Sequence, residues 1–112
     1  MEPNSTHIVV LITASSRQEA EMIGHALVES RLAACVNIIP DGVCSLFWWQ
    51  GAIERQEEML MLVKSRSDLL PSIIELVKGL HSYTVPEVIA LPIVAGSSDY
   101  LTWVDESLRQ IP

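Results

Sequence analysis

Basic residues are scarce in this sequence. Seven Lys and Arg stand against fourteen Asp and Glu, for a formal net charge of −7 over 112 residues. So few cations argue against nucleic acid, whose phosphates need Lys and Arg, and against an anionic membrane surface. Glycine is sparse too: five residues, none clustered, so no glycine-rich phosphate loop occurs. Cys-x-x-Cys, His-Glu-x-x-His and Gly-x-Ser-x-Gly are all missing, which removes the familiar redox, zinc-hydrolase and serine-hydrolase signatures. The expectation is a protein that is not an enzyme. Apolar runs such as Ile8 to Ile12 are far too short to cross a bilayer. Met1 to Thr6 has neither the basic region nor the apolar run of a signal peptide, so a cytoplasmic protein is expected.

Cysteine is limited to Cys35 and Cys44. Nine strand residues span roughly 30 Å, whereas a disulfide needs Cα atoms within roughly 7 Å. Both thiols should therefore be free, as suits a reducing cytosol. Aromatic residues make up only 5% of the chain, yet Trp48 and Trp49 are adjacent.

Apolar side chains, by contrast, reach 49%. One domain of this length, spanning 1–112, cannot hide so much alone, which points to burial against other copies of the chain. The segment from His7 to Thr13 reads as a strand buried on both faces. Ser15 or Ser16, with Glu19 in capping-box position, opens a helix running to about Arg31. Leu32 to Ile39 reads as a second strand, loosened at Pro40-Asp41-Gly42 and resuming through Ser45 to Trp49. Gln50-Gly51 turns the chain into a third strand, Ile53 to Ser65. Ser67 or Asp68 caps a second helix with Leu70, Ile73, Ile74 and Val77 on one face and Pro71 in its first turn. Val88 to Val94 forms a fourth strand, which Pro92 assigns to an edge or a bulge. Leu101, Val104 and Leu108 mark a last helix. The order β-α-β-β-α-β plus a helix is an α+β, ferredoxin-like pattern with an overlong central hairpin.

The densest chemistry lies in His81-Ser82-Tyr83-Thr84-Val85-Pro86-Glu87. Alternation in an extended segment puts His81, Tyr83, Val85 and Glu87 on one side, and His with Glu suits a borderline divalent cation such as zinc or copper. The same seven residues also read as a hydrogen-bonded loop stitching the second helix to the fourth strand. Cys35 reads as a small buried hydrophobe and Cys44 as the more exposed thiol. Met59 and Met61 read as core. Glu21 and His25 read as an i, i+4 pair. Lys64 either snorkels to water or meets an anionic ligand near Glu87. No spacing supports an enzyme built from Cys35 as nucleophile, His81 as base and Glu87 as orienter. At least one of the two tryptophans should meet a partner subunit or a ligand.

At these residues the sequence resembles the divalent-cation tolerance (CutA) family. The matching segments are Leu32-Ala33-Ala34-Cys35-Val36-Asn37-Ile38, Ser45-Leu46-Phe47-Trp48-Trp49-Gln50-Gly51, Val63-Lys64-Ser65, the His81 to Glu87 stretch with Ile89-Ala90-Leu91-Pro92-Ile93, and Tyr100-Leu101-x-Trp103. They run in order from about Val9 to Leu108. The resemblance implies a homotrimer whose long hairpins wrap neighbouring subunits, a link to tolerance of divalent metals including copper, and similarity to the trimeric PII signalling proteins. It carries over His81 and Cys35 as candidate metal ligands, and Trp49, Lys64, Tyr83, Glu87 and Trp103 as candidates for a ligand cleft. Some family members place a cysteine and a second histidine where this chain has Ile12 and Leu80.

Overall fold

The computed structural model describes residues 6–110, the Asp41 side chain excepted. Strand β1 (His7–Ala14) alternates rather than being buried on both faces. Ile8, Val10, Ile12 and Ala14 are buried, while Val9 and Leu11 are only half-covered. The unbroken apolar run therefore belongs to a strand with one face closed and one face open in the single chain. Helix α1 (Arg17–Glu29) starts at Ser16, whose hydroxyl accepts the Glu19 N–H at 3.1 Å, and buries Ala20, Ile23 and Leu27. It ends two residues before Arg31, which turns out of the helix at φ 59.

β2 (Cys35–Trp49) and β3 (Ala52–Arg66) pair antiparallel from Cys35–Lys64 to Trp49–Ala52. Pro40-Asp41-Gly42 does not divide the strand: it forms a register shift between Ile39 and Val43, and pairing resumes beyond it. Gln50 and Gly51 adopt φ 50 and 82, which is the two-residue primed turn whose twist matches a hairpin. The far half of this hairpin projects from the body and stretches the molecule to 44 Å along its long axis.

A 3₁₀ turn (Ser67–Leu69) leads into α2 (Leu70–Leu80). Neither expected cap acts on the helix. Leu69 stands at the cap position without a side-chain bond, the Ser67 hydroxyl accepts the Thr6 N–H, and Asp68 holds Arg66. β4 (Val88–Pro92) pairs with β1 at the sheet edge and stops two residues before Val94. The antiparallel order is β2-β3-β1-β4, and Pro92 on an edge strand costs no ladder bond. α3 (Ser98–Ser107) is the last helix, and the described chain runs on to Gln110.

The core lies between one sheet face and the pair α1, α2, where Val10, Ile12, Met61, Val63, Ile73 and Val77 are fully buried. On the other face α3 covers only one end. Val104 and Leu108 are buried there, and Asp105 reaches His7 and Arg66.

Candidate functional site

The chain leaving α2 turns inward at once. The His81 N–H donates to Val77 O at 2.8 Å, and the imidazole is fully buried. Its Nε2 lies 2.7 Å from the Thr13 carbonyl oxygen at the end of β1. A carbonyl can only accept, so Nε2 carries the proton. Nδ1 then accepts the Tyr83 N–H at 3.0 Å, and the two rings meet at 4.7 Å. The Tyr83 hydroxyl donates to Glu58 Oε2 at 3.1 Å. Glu58 is buried and pairs with Val43 where the hairpin leaves the sheet. Glu19 of α1 completes the cluster: Oε1 lies 3.2 Å from His81 Nδ1, and Oε2 accepts from the Ser15 hydroxyl at 2.9 Å.

Residues 81–87 are therefore not extended, and alternation fails along them. His81 points in, Val85 is 85% exposed and Glu87 lies at the surface. Of the expected row, His81 and Tyr83 are brought together and Glu87 is not.

Burial alone would raise the Glu19 carboxyl. Hydrogen bonds from Ser82 and Ser15 outweigh it and hold Glu19 below the usual carboxylate value of 4.5. Its contribution to stability is thus present above that value and lost as pH falls through the lower folded one. Glu19→Gln should be less stable than wild type near neutral pH, and the gap in urea midpoint should close as pH drops below 4.5. A gap unchanged by acid would remove the charge from the account. Tyr83 moves the other way: burial first, then the bond to Glu58 and the charges of Glu58 and Glu19, push its hydroxyl up to about 12.

The remaining candidates sit elsewhere. Cys35 lies on the open sheet face, directly across from Lys64, which has Val9 on its other side. It is half-buried rather than a core residue. Burial first, then the neighbouring Cys35 thiol, raises the Tyr100 pKa. Trp103 packs on Tyr100 at 5.5 Å between ring centres. Val9 and Thr13 are four strand residues apart, roughly 13 Å, so Cys35 and His81 occupy opposite ends of the sheet and form no shared centre within one chain. Trp49 is at the hairpin tip, 58% exposed. Cys44 is exposed, and both cysteines are free. Glu21 pairs with Arg17 and His25 with Glu29, in place of the expected Glu21–His25 contact. Among the described residues no three His, Cys, Asp or Glu side chains converge as a metal centre.

Residues 8–107 match the family model for the CutA1 divalent ion tolerance protein. The divalent-cation tolerance protein CutA of Thermus thermophilus is 52% identical over 99 residues, which cover 88% of this chain and 95% of that one. Its solved structure superposes with a TM-score of 0.89, covering 92% of this chain and 99% of the other. The periplasmic divalent cation tolerance protein CutA of Archaeoglobus fulgidus gives 0.88 at 46% identity, covering 92% and 99%. CutA1 from Oryza sativa gives 0.91 at 40% identity, covering 95% and 96%.

Proposed function

Because the chain belongs to the CutA1 family of divalent ion tolerance proteins, we propose that it serves divalent-cation tolerance as a non-enzymatic homotrimer of ferredoxin-like subunits. The observation that carries this reading is the apolar surface of the single chain. Val9, Leu11, Leu60, Leu62, Ile39, Ile89 and Leu91 share the open sheet face, and Leu46, Phe47, Trp48, Trp49 and Ile53 stand exposed on the hairpin. Contiguous apolar surface of this extent requires cover. A hairpin laid on the open face of the next subunit joins two different surfaces, and such heterologous contacts close into rings. The family resemblance read from the sequence motifs implies three subunits for such a ring.

Each chain brings a charge of −7 to the assembly, and an acidic field of this kind draws divalent cations, copper and zinc among them, to the trimer. The free thiols Cys35 and Cys44 favour a cytoplasmic setting, although the Archaeoglobus fulgidus relative is described as periplasmic. Light scattering should give three times the 12.4 kDa chain mass, and Trp48→Glu combined with Leu46→Glu should release folded monomers. A monomeric wild type would end the reading. Titration calorimetry of copper and zinc on the same sample should show binding whose stoichiometry follows the trimer, and it should weaken with salt.

One observation favours a second reading, a PII-like sensor that binds a small anion between subunits. Lys64 is half-buried on the open face beside Cys35 and the α3 end, and it makes no ion pair among the described residues. A rise in melting temperature with nucleotides or small organic acids, lost in Lys64→Met, would support it.

A further inference from the structure

The resemblance nominates His81 as a metal ligand, and the surroundings of its ring oppose that role. We infer that in this chain His81 is the latch of the hairpin root and not a cation ligand. Both ring nitrogens are already committed. Nε2–H donates to the Thr13 carbonyl at 2.7 Å and has no lone pair to offer. The Nδ1 lone pair accepts the Tyr83 N–H at 3.0 Å. A cation bound to imidazole sits about 2.0–2.1 Å away along that same lone pair, so it would have to expel the Tyr83 N–H from a place where the side chain is fully buried. The neighbourhood is also poor in further donors. Ile12 is fully buried apolar core and Leu80 is a helix-end hydrophobe. The one carboxylate oxygen beside Nδ1 is Glu19 Oε1 at 3.2 Å, whereas a closed tetrahedral site takes four ligands.

The committed nitrogens instead make a continuous brace. Through Nε2 the ring is fixed to the end of β1. Through Nδ1 it fixes the backbone of Tyr83, and the Tyr83 hydroxyl fixes Glu58. Glu58 and Val43 form the first pair beyond the register shift, the point from which the projecting hairpin takes its direction. The chain Thr13–His81–Tyr83–Glu58 thus couples the post-α2 loop to the hairpin root from inside the subunit, and it does so whether or not subunits associate.

The test uses wild type and His81→Gln at neutral pH, with zinc as the probe. The ¹⁵N resonances of the His81 ring in wild type should report the Nε2–H form and stay unmoved at saturating zinc. His81→Gln should bind zinc within twofold of wild type, and its Val43 and Glu58 amides should exchange with solvent at least tenfold faster. A zinc-dependent shift of Nδ1, or a tenfold loss of zinc affinity in His81→Gln, would restore the ligand role. Unchanged amide exchange at Val43 and Glu58 would remove the latch. If His81→Gln does not fold, the wild-type resonances decide on the ligand and Tyr83→Phe, which cuts the brace one step further on, decides on the latch. A protein that takes up no zinc leaves His81 unliganded, as the inference requires. Failure here is separable from failure of the trimer: a monomeric mass with an unmoved Nδ1 would end the assembly and keep the latch.

Discussion

Gly42→Ala should cost about 2–5 kcal/mol, a large share of the total stability of a domain, which is on the order of 5–15 kcal/mol. Two terms add. Gly42 has φ +66, where a Cβ carries a penalty of about 1–2 kcal/mol. That Cβ would also lie 1.7 Å from the Glu58 carbonyl oxygen and 2.7 Å from its carbon. These are backbone atoms of the paired strand, so nothing flexible can swing aside, and overpacking of this kind costs about 1–3 kcal/mol more. Gly51→Ala is the matched control. Its φ of +82 carries the first penalty, but nothing lies within 4 Å of the added atom. Urea melts at equal protein concentration should therefore place Gly42→Ala well below Gly51→Ala. Equal midpoints would mean that the register shift is free to slide and that the close approach to Glu58 is not what holds it.

Most of the architecture could be read from periodicity. Helical spacing at Ala20, Ile23 and Leu27, and at Ile73 and Val77, returns as the buried faces of α1 and α2. Pro92 assigned β4 to an edge or a bulge, and the strand lies at the edge. The errors share one cause: side-chain type states that a face is apolar but not what covers it. Ile8 to Ile12 is apolar throughout, so it read as buried twice over, yet within one chain only the α1, α2 side is closed. Pro40 and Gly42 carry turn chemistry, and turn chemistry in a hairpin arm is also how a register shift is written. Sequence alone does not separate a strand that stops from one that takes an extra residue.

The polar cluster was half legible. His81 and Tyr83 stood out because seven residues there hold an imidazole, a phenol and a carboxylate. Their partners did not. Glu19 read as a capping-box residue, and the Ser16 half of that box forms. Its carboxylate, however, turns to Ser15 and His81. Glu58 was one acid among several in a charged stretch, and it is buried and bonded to Tyr83, a residue 25 positions further on that local pattern does not bring to it. Cys35 and Lys64 are adjacent because strands β2 and β3 pair, a relation across 29 residues that local pattern does not encode.

Arg66→Ala should be the most damaging charge removal, at about 3–5 kcal/mol. The guanidinium is fully buried and grips Asp68, whose side chain is 1% exposed, with Nε–Oδ1 at 2.9 Å and Nη2–Oδ2 at 3.2 Å. The same Nη2 donates to the Arg109 carbonyl at 2.9 Å, and Nη1 lies 3.8 Å from Asp105 Oδ1, the oxygen that also meets His7 at 3.0 Å. One side chain thus joins the end of β3, the turn into α2, α3 and the segment after it. Truncation takes the bidentate partner from a buried carboxylate, and breaking one side of a buried ion pair is the larger part of the loss. Arg17→Ala removes a similar-looking pair with Glu21, but both groups are more than half exposed, so it should change stability by less than about 1 kcal/mol. Arg66→Met with Asp68→Leu removes both buried charges together and should be milder than Arg66→Ala alone, despite the lost hold on Arg109. Guanidinium melts of the four proteins, with amide exchange across α3, separate the terms. A double variant as unstable as Arg66→Ala would shift the weight from the Asp68 charge to the anchoring of α3 and Arg109.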